Sequence, residues 1–481
     1  MKKSFLKKSE IKNIVVILTD QHALHAISAY TNGICRTPNI DSLCKDGIKF
    51  NKAYSPCALC TPARTSLLTG LYPHNHGAIY NSGCHLPFSI KKIGYGLTHI
   101  TDYLKKSNYN LGYAGKWHLG TAETAADLNF EGFGPKGYGI VRESKEYNNY
   151  LKNLNISLPE PVIEFQANQS KGNSSGYLKG SKESSDSFFL VSESKKLIKK
   201  FSKDKKPFLS FCSFWGPHAP YWPTEDFKDL YDPKYIEPWE SFKDDLNGRP
   251  VYHKKYMDTF FPAAKSASWE TWSKIISRYW SQVTLIDDAI GDLLQFLKEI
   301  KIYDDTLIIF TADHGESIGI HGGMFDKGAL AYEEIYNVPM IIKLPNSINK
   351  NQVCNEYIST IDLAPTICDI LGYSEIDFDG KSLFPLLKNP NIAFRDYWIS
   401  EFHGHRLPVG QRIIWHKNKK LIINFSDINE FYDLNDDPYE LNNLIENIPK
   451  NELNIFSEIM SSEMKNTNDR LGPEAYNIFN I

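Results

Sequence analysis

The 481-residue chain has no apolar run long enough to cross a membrane, no internal repeat and no excess of charge of either sign. Each absence excludes something. A spanning helix needs about 20 consecutive apolar residues, so a membrane is not an expected partner. Lys+Arg 54 against Asp+Glu 57 gives a formal net charge of −3. That lacks the basic footprint of a nucleic-acid-binding surface, so nucleic acid is not an expected partner either. The start, Met1 to Glu10, is lysine-rich but offers only Phe5-Leu6 as an apolar pair, short of the apolar region of a secretory signal. Cytoplasmic residence is expected, unless a leader was trimmed. The eight cysteines, at positions 35, 44, 57, 60, 84, 212, 354 and 368, are scattered and do not form a disulfide-framework pattern. Cys57-Ala58-Leu59-Cys60 is formally C-x-x-C, but no second cysteine pair or suitably spaced Cys/His partner supports zinc or thioredoxin-like chemistry.

What is present is enough apolar sequence, 42% of the chain, for a large core and two lobes. Ile14-Val15-Val16-Ile17-Leu18 is a continuous β-branched run, as expected of a strand covered on both faces, and it ends in Thr19-Asp20. Leu307-Ile308-Ile309-Phe310 repeats that form and ends in Ala312-Asp313-His314. Phe208-Leu209-Ser210-Phe211 and Pro339-Met340-Ile341-Ile342 read as further core strands. Trp280 to Ile300 carries Leu285, Ile286, Ile290, Leu293, Leu294 and Leu297 at helical spacing. Alternation of the two types predicts an α/β fold, a large mixed sheet sandwiched between helices. In such sheets ligands bind at the carboxyl ends of the strands, where Asp20 and Asp313 fall. Residues 151–186, rich in Ser, Lys, Gly and Asn, read as a long loop or insertion in an N-terminal domain of residues 1–375. From 376 to 481 the apolar segments shorten, as at Tyr397-Trp398-Ile399 and Leu421-Ile422-Ile423, and this part reads as a smaller C-terminal subdomain.

Cys60-Thr61-Pro62-Ala63-Arg64 puts a thiol, a helix-starting proline and a guanidinium within one helical turn, and Gly70 marks the helix stop. A cysteine at a helix N-terminus sits where the macrodipole and free N–H groups favour an anion, and Arg64, one turn on, can reach back to the same point.

Together with Thr69-Gly70, this run resembles the signature of the type I, formylglycine-dependent sulfatases of the alkaline phosphatase superfamily, in which such a cysteine is oxidised to formylglycine. Further matches occur in the family's order: Thr19-Asp20-Gln21, Gly115-Lys116-Trp117-His118-Leu119-Gly120, Gly216-Pro217-His218, Thr311-Ala312-Asp313-His314-Gly315, Lys327 with Tyr332-Glu333-Glu334, and the tail segments Tyr432-Asp433-Leu434, Asp437-Pro438 and Asn443-Leu444. The resemblance implies an alkaline phosphatase-like fold whose C-terminal subdomain holds an antiparallel sheet and a closing helix.

It also implies a sulfatase acting on a sulfate monoester, a small and usually saccharide substrate, with a formylglycine-generating enzyme as transient partner; oligomeric state stays open. Asp20, Gln21, Asp313 and His314 would hold one divalent cation. Many members have Asp where Gln21 stands and Asn where His314 stands. Calcium is the family's usual ion, and the imidazole makes manganese a competitor. Cys60 would become the nucleophile, Arg64 and Lys116 would hold its hydrate, His118 would be the base, and His218 and Lys327 would grip the sulfate and help protonate the leaving oxygen. Lys116 and His118, two apart in an extended segment, would face the same side. Asn81 resembles a substrate-contacting asparagine of phosphonate monoester hydrolases, and His403, His405 and Arg406 are candidates for the substrate pocket. Two alternatives stand beside this reading: a phosphonate monoester or phosphodiester hydrolase on the same scaffold, and a non-catalytic sulfoglycan-binding protein with an unmodified Cys60.

Overall fold

The computed structural model describes residues 7–31, 33–83, 92–93, 97–373, 376–425 and 427–471. The Phe5-Leu6 pair, Cys84 and residue 375, where the expected boundary falls, lie outside them.

The apolar run of residues 14–18 lies within β1 (Asn13–Asp20), whose alternate side chains enter two different hydrophobic layers: Ile14, Val16 and Leu18 face one, Val15 and Ile17 the other. A strand covered on both faces offers no polar side, which is why its sequence does not alternate. The remaining strands of the large sheet are β2 (Ile48–Phe50), β3 (Asn110–Gly115), β4 (Glu131–Phe133), β5 (Phe208–Pro217), β6 (Thr306–Ala312), β7 (Met340–Lys343) and β8 (Gln352–Cys354). Their spatial order is β8-β2-β7-β6-β1-β5-β3-β4. Strand β7 runs against its neighbours β2 and β6, and every other pair is parallel. This is the mixed sheet expected from the sequence.

Six helices position the core and the sheet edge: α1 (Pro38–Asp46), α2 (Cys60–Thr69), α3 (Asp186–Lys203), α4 (Trp269–Glu299), α5 (Leu363–Ile370) and α6 (Lys450–Asn466). Leu67 and Leu68 of α2 and Leu363, Ala364 and Ile367 of α5 cover one face of the sheet. The other face is covered by Ile40 and Leu43 of α1, Phe189, Leu190 and Ile198 of α3, and Ile286, Ile290 and Leu293 of α4. Helix α4 starts earlier than its aliphatic residues suggest. Ser268 caps it by accepting from the Thr271 N–H, and Trp272, Ile275, Ile276 and Tyr279 continue the buried stripe with bulkier side chains.

A separate antiparallel sheet lies C-terminal to these: β9 (Tyr397–Phe402), β10 (Gln411–His416), β11 (Lys419–Asn424) and β12 (Glu430–Asp433). Ile399, Ile414, Leu421, Ile423 and Phe431 on one face meet Phe456, Met460 and Met464 of α6. Trp398, Ile413, Trp415, Ile422 and Tyr432 on the other join a core shared with Tyr54 and Tyr336 of the large lobe. Residues 151–186 hold more than a loop. Pro161–Gln166 and Ser174–Leu178 form an antiparallel hairpin that bridges to Tyr221 and Thr224. Its polar composition hid it: Ser174 and Ser175 are buried by docking, not by hydrophobicity. Among the described residues no helix is long and apolar enough to cross a membrane.

Candidate active site

Because β1, β3, β5 and β6 run parallel, their carboxyl ends share one edge, and each delivers a polar residue there. Asp20 ends β1, Lys116 follows β3, His218 follows β5 and Asp313 follows β6. Helix α2 brings its first turn to the same edge. All ten of its residues are buried. Thr61 N–H donates to the Asn81 side-chain oxygen at 3.0 Å, and Gly70, at φ 71°, closes the helix with its N–H on the Ser66 carbonyl. Pro62 therefore sits in the first turn, where its missing N–H costs no helix bond.

The Cys60 Sγ lies 3.3 Å from His314 Nε2, 3.6 Å from Lys116 Nζ and 3.9 Å from Asp20 Oδ1. Burial and the charge of Asp20 push this thiol up, but Lys116, Lys327 and His314 outweigh them and hold it well below its usual range. A depressed cysteine in a cationic setting is a nucleophile or a modification target, not filler. Asp20 is likewise held low, with burial opposed by Lys116 and then Arg64. Its Oδ2 accepts from Arg64 Nη2 and Lys116 Nζ, both at 2.7 Å. The same guanidinium donates from Nε to Asp313 Oδ2 at 2.9 Å and from Nη1 to the Lys116 carbonyl and Ser213 Oγ. Arg64 thus spans both strand-end carboxylates, which explains a charge so deep in the fold.

Asp20, Cys60, Asp313 and His314 offer ligand atoms that all lie within 4.8 Å of one another. The donor chemistry fits a divalent cation. His314 Nδ1–H donates to the Gly315 carbonyl at 3.0 Å, so its Nε2 lone pair is left facing the cluster, as metal-binding imidazoles are arranged. Asp313 Oδ1 accepts the backbone N–H groups of Gln21 and His314, which fixes that carboxylate in place. Gln21, in the left-handed region at φ 59°, turns its amide nitrogen to Glu316 and, at 3.3 Å, to Asp326, while its amide oxygen accepts from Lys327.

The remaining expected residues gather at different depths. His118 and Lys116 both pack on the Tyr138 ring, but not by strand alternation, since β3 ends at Gly115 and His118 is itself left-handed at φ 53°. His118 Nε2 pairs with the Ser82 carbonyl at 3.2 Å, and its buried Nδ1 has no hydrogen-bond partner among the described residues. Burial pushes this imidazole down, and Cys60 pulls it back up. Burial, then Lys327 and Lys116, push His218 down to about 3. It is a neutral ring that donates from Nδ1 to the Ala219 carbonyl and accepts the Lys327 ammonium at Nε2, at 3.1 Å. Asn81 serves the start of α2. Arg406 lies 3.6 Å from Asp326 and stacks on Phe261, and His405 feels the charges of Asp326, Arg406 and Lys327. His403 stands apart, paired with Glu401 at 3.1 Å. Glu316, Asp326, Ser213 and Tyr138 also belong to this edge and carry no motif that marks them in the sequence. Asp326 directly precedes Lys327, Glu316 follows Gly315 and Ser213 lies three residues before Gly216, so each of these three borders a motif, whereas Tyr138 borders none.

In comparison with known proteins, a family model described as "Sulfatase" matches residues 12–373, and one described as "N-sulphoglucosamine sulphohydrolase, C-terminal" matches residues 319–469. A protein named "Uncharacterized sulfatase YidJ" from Escherichia coli (strain K12) is 28% identical over 451 residues, covering 91% of this chain and 83% of its own length. An N-acetylglucosamine-6-O-sulfatase of Bacteroides thetaiotaomicron is 26% identical, with 91% and 84% covered. Among solved structures, a phosphonate monoester hydrolase of Agrobacterium radiobacter superposes with a TM-score of 0.77 at 23% identity, over 95% of this chain and 96% of that one. At that identity the likeness is one of fold.

Proposed function

The chain belongs to the sulfatase family of sulfuric ester hydrolases, and from that premise we propose that it desulfates a carbohydrate, using a formylglycine made from Cys60 beside one divalent cation. The observation that carries this reading is the setting of Cys60: a buried thiol within 4 Å of Lys116, His314 and Asp20, at the carboxyl edge of the sheet. The saccharide part is supported by the relative that acts on N-acetylglucosamine 6-sulfate groups, as its name states.

Asp20, Asp313 and His314 would hold the cation, calcium or manganese, which would supply Lewis acidity toward a sulfate oxygen, while the amide oxygen of Gln21, expected from the sequence as a fourth ligand, is taken by Lys327. Residue 60, converted to the aldehyde hydrate, would supply the oxygen nucleophile. The chain's own side chains do the rest. Lys116 and Lys327 neutralise the sulfate oxygens that would repel a nucleophile. Arg64 keeps Asp20 and Asp313 ionised and aligned while Asn81 secures the start of α2. His118, with Nε2 on the Ser82 carbonyl and the Cys60 side chain beside its ring, would take a proton at Nδ1. In the His218–Lys327 pair the proton resides on Lys327, since the ring is neutral. Lys327 therefore protonates the leaving alcohol oxygen and His218 aims it. His405 and Arg406 border the substrate from the C-terminal sheet.

Mass spectrometry of the Cys60 peptide from the native host tests the modification: formylglycine is lighter than cysteine, and an unchanged thiol there would overturn it. A formylglycine-generating enzyme would be the transient partner. Hydrolysis of sulfated monosaccharides, with aryl sulfate preferred to aryl phosphonate and with Cys60→Ala inactive, is the expected activity. Preference for the phosphonate would favour the other hydrolase chemistry of this scaffold.

A further inference from the structure

The side chains that would contact a sulfate are almost sealed from solvent: Cys60 is 1% exposed, Lys116 0%, His118 4% and Lys327 2%. Tyr138 departs from this. It is 38% exposed, yet its ring touches three residues of the same site. Lys116 Nζ lies 4.3 Å from the ring centroid, the His118 ring stands edge-on at 5.2 Å, and His218 lies at 5.9 Å. Tyr138 is therefore both an inner wall of the anion pocket and part of its rim.

The backbone is built to hold it there. Gly137 and Gly139 flank it, both left-handed at φ 64°, a turn that side-chain-bearing residues rarely make. A Cβ on Gly139 would meet Pro135 at 2.7 Å and Trp215 at 3.3 Å. Gly137 N–H is tied to the Gly120 carbonyl at 2.8 Å, and Trp215 Nε1–H donates to the Tyr138 carbonyl at 3.0 Å. The backbone that carries the ring is thus fixed to β5 through Trp215 and to Gly120, two residues beyond His118. An ester bound with its sulfur beside residue 60 has its alcohol part directed away from the nucleophile, toward the rim. Lys116 lies over one face of the Tyr138 ring, and the exposed remainder of that ring is the apolar surface the rim offers to the alcohol part.

We propose that Tyr138 is a specificity-determining residue whose ring stacks on a six-membered ring in the alcohol part of the ester. The inference rests on the sulfate-ester reading of this pocket and adds the shape of the leaving group: a sugar or aryl ring, which presents a flat C–H face or π face, over a small alkyl chain.

Binding is measured by calorimetry on the Cys60 protein, without need of turnover, for 4-nitrophenyl sulfate, glucose 6-sulfate and ethyl sulfate. Tyr138→Ala should weaken one or both ring sulfates about 2- to 12-fold, the size of one aromatic contact, and leave ethyl sulfate unchanged, while Tyr138→Phe keeps the ring preference. Weakening of the aryl ester alone assigns the platform to aryl groups, and of the sugar ester alone to saccharides. In protein carrying formylglycine, the same loss should appear in KM with kcat nearly unchanged. Equal weakening of all three esters, or no weakening, or no binding of either ring sulfate, overturns the proposal. Absence of turnover on every sulfate, with the binding pattern intact, would sink the hydrolase reading and leave the assignment of Tyr138 standing.

Discussion

Asp20 and Asp313 end neighbouring strands, share Arg64, and are nonetheless driven in opposite directions. Burial and the charge of Asp20 raise Asp313 to about 6 against His314 and Arg64, whereas Lys116, which touches Asp20, holds that carboxylate low despite its burial. Lys116→Met should cost at least about 100-fold in kcat, as loss of a preorganised charge does, and about 3 kcal/mol of stability, since it leaves a buried carboxylate short of a partner; steady-state kinetics and urea unfolding read the two separately. Far from that cluster, His74 Nδ1 lies 2.6 Å from Glu401 Oε2. Burial pushes His74 down, but the hydrogen bond and charge of Glu401 raise it from 6.5 to about 8. The folded state favours the charged ring, so its contribution is complete below pH 6.5 and is lost as the pH rises through 8, amounting to about 2 kcal/mol. The unfolding free energy of the wild type should exceed that of His74→Gln at about pH 6, and the gap should close by about pH 9.

The elements present these residues through a few backbone necessities. Gly115 ends β3 at φ 137°, and a Cβ there would lie 1.7 Å from the Ser213 carbonyl oxygen of β5. The close approach lets Lys116 N–H donate to that carbonyl at 2.9 Å. Gly115→Ala should part the two strands and lower stability by more than about 2 kcal/mol, through backbone strain and the steric clash together, seen in thermal unfolding and as loss of soluble protein. A cation shared by the ends of β1 and β6 would clasp the sheet edge as a bound ligand stabilises the native state. Chelation should lower the melting temperature and abolish activity, and titration with calcium and then manganese should restore both with the resident ion. The sequence made β1 and β6 legible, because a strand buried on both faces reads as a plain apolar run. It concealed the hairpin in residues 151–186, whose small polar residues are covered by neighbours contributed from elsewhere.

At the scale of the molecule, the C-terminal sheet is joined to the large lobe by buried charge as well as by aromatic packing. Lys420 of β11, fully buried, donates to the Ala331 carbonyl at 2.7 Å and is paired with Glu333 and Glu440. Arg249 donates to the Tyr432 hydroxyl of β12 and to Asp244. Lys420→Met should destabilise the protein by about 3–5 kcal/mol, because it leaves the fully buried Glu440 without its cation. Chemical unfolding measures the loss, and limited proteolysis should show the segment after residue 375 cut first.

The sequence by itself determined the helix that starts at Cys60, the acidic ends of two core strands and the class of sheet between them, because these depend on spacing along a contiguous stretch of chain. Only the tertiary structure decided that Arg64 bridges both carboxylates, that Glu316 and Asp326 turn the Gln21 amide, that His403 belongs to Glu401, and that Tyr138 forms the rim. Those are contacts between segments far apart in the chain, and neither local propensity nor periodicity carries information about which of them will meet.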